Sequence, residues 1–188
     1  MRIIAGRHKG RTLESPAWEG LRPTSDRLRE SLFNILAPRV EGATVLDGCA
    51  GTGAVGIEAI SRGAAHVTFV DRDRRATDLV ARNLARCRIA DGYAIIRADL
   101  GSPGTHLPPS SFDLIFLDPP YDTDPVEVMG RVGGWLRPGG RLVLEHARRR
   151  EPPEVAGVLT RVRRVQAGDS VLAFYAHATP AAAGSEQS

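Results

Sequence analysis

Ala43-Thr44-Val45-Leu46-Asp47-Gly48-Cys49-Ala50-Gly51-Thr52-Gly53-Ala54-Val55-Gly56 is the stretch on which the fold turns. Residues 43–47 are a short apolar run ending in an acid, a glycine-rich turn follows, and a helical pattern continues through Ile57 and Ile60. A strand passed into a helix through glycines opens a βαβ unit, because parallel strands can be joined only by a crossover. The alternation repeats downstream. Strand-like runs fall at 66–71, 93–99, 112–118 and 141–146, with helical patterns at 74–88 and 125–136. The run at 112–118 is apolar without a break from Leu114 to Leu117, as a strand covered on both faces would be. Two last runs, 159–166 and 170–177, are separated only by Ala167-Gly168-Asp169. That link is too short for a crossover and predicts an antiparallel hairpin. The pattern thus predicts an α/β fold with a seven-stranded, mostly parallel, doubly wound sheet and an antiparallel last strand.

Outward from this unit, residues 1–14 read as two short strands around a glycine-bearing turn, a basic hairpin. From Thr24, the expected N-cap, Leu28, Leu32, Ile35 and Leu36 keep a helical period until Pro38 stops it. Residues 101–111 hold three prolines and two glycines and read as a loop, and 137–140 read as a turn. Residues 1–40 are expected to form a basic hairpin-and-helix extension, 41–178 the main domain, and 179–188 a disordered tail.

At 188 residues the chain is the size of one domain with a small appendage. No apolar run approaches the ~18 residues of a membrane span, and the start lacks a secretory core. A cytoplasmic protein is expected. Cys49 and Cys87 make no disulfide framework, and the five histidines are scattered singly, so no metal site is expected. The net charge is +3, but basic ends flank an acidic middle. Residues 1–40 carry eight Lys and Arg against four acids, and residues 41–147 carry eleven against fourteen. All cations but Lys9 are arginines, whose forks grip phosphates and stack on bases.

Four strands end in an acid: Asp47, Asp71, Asp99 and Asp118. Carboxylates are costly in a core, and parallel sheets bind ligands at the carboxyl ends of their strands. Gly51-x-Gly53-x-x-Gly56, with Asp71 18 residues beyond Gly53, fits a dinucleotide fingerprint by spacing. Asp47, four residues before Gly51, points elsewhere. A carboxylate aimed into that turn repels a pyrophosphate, which would otherwise suit a helix N-terminus, and favours an uncharged or cationic ligand.

Asp47-x-x-x-Gly51-x-Gly53 resembles the first motif of the Rossmann-like S-adenosylmethionine-dependent methyltransferases. The resemblance implies that Asp47, Ala50, Gly51 and Gly53 lie beside the methionine part of S-adenosylmethionine. Asp71 would hold the ribose hydroxyls and Asp99 would face the adenine amino group, with Arg72 and Leu100 also binding the cofactor. Asp118-Pro119-Pro120-Tyr121 resembles the [DNS]-P-P-[YFW] motif of enzymes that methylate amino groups conjugated to a planar system. Such a nitrogen shares its lone pair with the ring and is a poor nucleophile. A carboxylate accepting one N–H and the Pro119 carbonyl accepting the other would push it toward a tetrahedral shape. Pro120 fixes the backbone, and Tyr121 offers a ring to sandwich the base. Asp118 would then face both cofactor and target. Cytosine C5 chemistry needs a cysteine nucleophile, and neither cysteine adjoins the tetrad in sequence.

With Arg22-Pro23-Thr24-Ser25-Asp26-Arg27-Leu28-Arg29-Glu30-Ser31-Leu32-Phe33-Asn34 and the opening Arg2-Ile3-Ile4-Ala5-Gly6, the chain to about residue 177 is similar to the RsmD-type 16S rRNA guanine-N2 methyltransferases of bacteria. The family implies methyl transfer to N2 of one guanine in 16S rRNA, free or in the assembling small subunit, by a metal-free monomer. Arg7, Lys9, Arg11, Arg22, Arg27 and Arg29 would grip phosphates, and the target guanine would be unstacked into the pocket. Two departures stand out. Gly48-Cys49 replaces two bulky apolar residues of the family's first motif, which predicts looser packing beside the cofactor, and the loop at 101–111 is less helical than the family implies. The residues themselves leave three other readings: a D-P-P-Y enzyme acting on adenine N6 or a protein glutamine, an NAD-dependent dehydrogenase, and a non-catalytic RNA-binding module.

Overall fold

The apolar runs pair into one sheet in the computed structural model, which describes residues 1–16, 18, 25–120, 123–149, 151–167 and 170–178. The strands are β1 (Thr44–Gly48), β2 (His66–Asp71), β3 (Tyr93–Arg97), β4 (Phe112–Leu117), β5 (Leu136–Ala147), β6 (Val155–Ala156), β7 (Leu159–Ala167) and β8 (Ser170–His177). Their order is β3-β2-β1-β4-β5-β8-β7-β6. Strands β1 to β5 pair in parallel, and β8 lies antiparallel between β5 and β7. The sheet is doubly wound and mostly parallel, as expected, but it has eight strands where the sequence predicts seven. The extra strand, β6, is only two residues long and pairs with the start of β7 through Gly157, at φ +61°. Two residues carry no period that a sequence could display.

Helices α1 (Asp26–Leu36), α2 (Ala54–Ser61), α3 (Arg74–Arg86) and α4 (Pro125–Val132) cover both faces. One core joins α1, α2 and α3 to Val45, Leu114, Phe116 and Val143. The other packs Val128, Met129 and Val132 of α4 on Leu46, Ile115, Leu117 and Leu144. Alternate residues of each strand serve opposite cores, which is why β4 is apolar from Leu114 to Leu117. The end of the fourth helical pattern reads differently in the structure. It stops at Val132 and gives way to a 3-10 turn over Gly133–Trp135, and β5 begins at Leu136. Residues 137–140 bulge out of β5, since Phe112 pairs with Leu136 and Leu114 with Arg141. Pro138 has no ladder N–H to offer and Gly139 takes φ +80°, so the expected turn survives as a bulge.

Ser25 caps α1 through its Oγ, which accepts from Leu28 N. The expected cap, Thr24, lies outside the described residues, as does the tail 179–188. The N-terminal hairpin is a single bridge, Arg2 to Thr12, and it is strapped to the sheet-covering helices. The buried Glu58 of α2 accepts the N–H groups of Ile4 (2.8 Å) and Ala5 (3.0 Å) and pairs with Arg62 (2.7 Å). Ile3, Leu13, Leu28 and Phe33 of the extension enter the same core as the sheet.

Candidate active site

In the order β3-β2-β1-β4-β5 the sense in which successive strands are added reverses between β1 and β4, and a crevice forms outside the carboxyl ends of the strands at such a point. A cavity of about 770 Å³ opens there, within the usual size of a small-molecule site. Asp47, Ala50, Gly51, Asp71, Arg72, Asp99, Leu100, Asp118, Pro119 and Pro120 all line it. Gly53 does not. It supplies the turn instead, at φ +73° as the N-cap of α2 and with Gly51 at +56°.

Asp47 is 4% exposed and stands in register between Phe69 of β2 and Phe116 of β4. Its Oδ2 accepts Gly56 N at 2.8 Å in the first turn of α2. Burial lifts its pKa to about 7, the Gly56 bond works against that, and Asp71 adds to it. The third glycine of the motif is required by this packing, because a Cβ on Gly56 would collide with the Phe69 ring and with Asp47 Oδ2. Asp71 closes the turn: its Oδ2 accepts Gly51 N and its Oδ1 accepts Asp73 N, both at 2.9 Å. Each oxygen keeps a second lone pair for a ligand. Asp99, two residues past β3, accepts Gly101 N at 2.9 Å through Oδ1. The loop that follows forms turns and no helix.

Packing beside the cavity is not loosened by the Gly48-Cys49 departure. A Cβ on Gly48 would lie 2.6 Å from Leu100 Cδ1 and 2.8 Å from Leu117 Cδ2, so these leucines fill the space that a side chain there would take. Cys49 is distant from the tetrad in sequence but lines the same cavity as Asp118. Burial and the carboxylates of Asp71, Asp118, Asp47 and Asp99 push its thiol well above the ordinary range. It is therefore no thiolate, and the case against a cysteine nucleophile rests on electrostatics rather than on sequence distance.

Asp118 lies immediately after β4, exposed at the cleft it lines. Desolvation raises its pKa well above the ordinary carboxylate range, and the charges of Glu145 and Asp47 raise it further. Tyr121 lies outside the described residues.

The expected basic cluster comes apart. Arg27 is exposed and lines the cavity. Arg7 and Lys9 are exposed too, but Arg7 N bonds to Ser61 O and its side chain to Ile60 O. That is the far end of α2 from the glycine turn, ~12 Å away at 1.5 Å per residue. Arg11 is half-buried, and Arg22 is outside the described residues. Arg29 must be corrected. It is 0% exposed, and its Nη2 donates to Arg2 O (2.8 Å) and Asp26 Oδ1 (2.6 Å). A guanidinium with no surface cannot touch a phosphate, and its period on α1 turns it inward beside Leu28 and Leu32.

Sequence reasoning also missed lining residues: Glu145 and His146 at the end of β5, Ser170 at the start of β8, and Trp18, whose ring lies 5.1 Å from the Arg75 guanidinium. Glu145 carries the same strand-end acid pattern that singled out the others. Among the described residues, no group of His, Cys, Asp and Glu could hold a metal ion, and no helix is long and apolar enough to cross a membrane.

Residues 1–176 match the family described as conserved hypothetical protein 95. The Bacillus subtilis protein YlbH is 37% identical over 181 residues, 93% of this chain and 98% of its own length. Ribosomal RNA small subunit methyltransferase D of Haemophilus influenzae is 37% identical over 150 residues, 77% of this chain and 78% of its own. The solved structure of the Escherichia coli protein yhhF matches with a TM-score of 0.79 at 31% identity, covering 95% of this chain and 99% of that one.

Proposed function

The chain belongs to the conserved hypothetical protein 95 family, and from that premise we propose that it transfers a methyl group from S-adenosylmethionine to N2 of one guanine in the RNA of the small ribosomal subunit. The relatives named ribosomal RNA small subunit methyltransferase D support rRNA methylation. The observation that carries the reading is the placement of Asp118-Pro119-Pro120 on the wall of the same cavity that holds the glycine turn and Asp47, Asp71 and Asp99.

These residues fit the donor. Carboxylates crowd the cavity, and the buried Asp47 resists ionisation, so a cationic ligand relieves what water cannot reach. Gly51 brings bare backbone to the cavity wall in a turn that Gly53 completes, and the free lone pairs of Asp71 suit a diol. When bound, the donor supplies an electrophilic methyl carbon on a sulfonium.

The chain's own contribution is positional and electrostatic. Asp118 accepts one N–H of the target amine and the Pro119 carbonyl the other, which frees the nitrogen lone pair from the ring. With the donor in place the nitrogen would take its methyl carbon as the C–S bond broke, and Asp118 or water would receive the displaced proton. A raised pKa makes Asp118 the stronger acceptor once it is ionised. Arg27 at the cavity mouth would hold a phosphate near the flipped base, and residues 1–40 would act as the strap that carries it there, in the cytoplasm where subunits assemble.

A tritiated-methyl assay on undermethylated small subunits, followed by mass spectrometry of the nucleosides, tests the reading. N2-methylguanosine is the expected product. N6-methyladenosine, or label recovered in protein, would overturn it.

A further inference from the structure

Glu145 has no part in the reading above, yet the sheet sets it beside Asp118. Leu117 of β4 pairs with Leu144 of β5, so Asp118 and Glu145 come next along two neighbouring parallel strands. Phe116 and Val143, also paired, lie two residues before them and enter the same core. The period of two therefore turns Asp118 and Glu145 to the same side as that pair. Neighbouring strands run about 4.8 Å apart, so the two acids sit side by side at the cavity wall, which both line. The charge of Glu145 also acts on the Asp118 carboxyl and raises its pKa, more than Asp47 does. Two carboxylates set side by side can accept from a pair of adjacent donors on a ligand.

Guanine presents such a pair on one edge: the ring N1–H and the exocyclic N2–H. We propose that Glu145 reads the target base by accepting N1–H while Asp118 accepts the neighbouring N2–H. The two carboxylates then select guanine. Adenine, with an acceptor at N1, would set a lone pair against the Glu145 oxygen. A site built to accept a hydrogen rejects an analogue that lacks it far more strongly than a hydrophobic pocket rejects a poor fit. This rests on guanine N2 being the methylated atom, and it adds a residue that sets which base is taken.

The test uses reconstituted small subunits with guanine or 2-aminopurine at the methylated position. The analogue keeps the N2 amine but has an unprotonated N1. Wild-type enzyme should favour guanine by ~100-fold or more in kcat/KM. Glu145→Gln can turn its amide N–H toward the bare N1, so its preference should shrink to roughly tenfold or less. Thermal melting and donor affinity of the variant should match wild type, since a purely structural loss would lower both substrates alike. If wild type makes N2-methylguanosine and Glu145→Gln keeps the full preference, the inference is overturned and the function stands. If wild type makes no N2-methylguanosine, both fall.

Discussion

The Asp47 carboxylate and the Gly56 N–H meet at 2.8 Å, tying the end of β1 to the first turn of α2 under the cavity. This bond holds an acid whose pKa rises from 3.8 to about 7. A raised carboxyl favours the folded state while protonated: that stability is full below the unfolded pKa and is lost as pH climbs through the folded one. At 1.36 kcal/mol per unit, about 4 kcal/mol of pH-dependent stability is at stake between pH 4 and 7. Asp47→Asn keeps the acceptor and loses the charge. Its urea stability should be flat across that window, where the wild-type protein loses stability, and calorimetry should show weaker S-adenosylmethionine binding.

Asp118 accepts an amine hydrogen far more strongly when ionised, and its pKa is raised. Methyl transfer should therefore fall as pH drops through a value well above the ordinary carboxylate range, rather than near 4. Asp118→Ala should lower kcat by about 100-fold or more while the donor still binds. An acid limb near pH 4 in single-turnover kinetics would remove Asp118 from this role.

Gly48 faces Leu100 and Leu117 with no room for a Cβ. Gly48→Ala should cost about 1–3 kcal/mol by overpacking. Adding Leu100→Ala should recover part of that loss in thermal melts. Additive losses would mean that Leu100 is not what fills the site.

Arg27 and Arg29 are two residues apart in sequence and opposite in environment. Arg27→Ala should leave the melting temperature alone and reduce the salt slope of RNA binding by about one. Arg29→Ala should do the reverse, since it leaves Asp26 and the Arg2 carbonyl without their buried donor.

Asn83 clamps Glu14 from both sides, accepting Glu14 N at 2.7 Å and donating to Glu14 O at 3.2 Å, with a further bond to Thr52 O at 3.0 Å. Asn83→Ala strands these buried groups and should cost roughly 2–3 kcal/mol in urea unfolding. Proteolysis should then begin within residues 1–16.

The sequence by itself determined the parallel sheet, the crossover helices and the strand-end acids. Those features rest on local rules: a period of two or 3.6, glycines where φ is positive, and carboxylates where an apolar run stops. Asp47, Asp71, Asp99, Asp118 and the Pro-Pro turn were legible for that reason. What lay between strands was not. The register that sets Glu145 beside Asp118, the nearness of Cys49 to Asp118 and the leucines that fill the space at Gly48 all join residues far apart in the chain. Only pairing and packing bring such residues together. Arg29 shows the limit most sharply. Its charge pointed to solvent, but the helix period and the Arg2 carbonyl turned it inward, and a charge with a buried partner obeys its neighbours rather than its residue type.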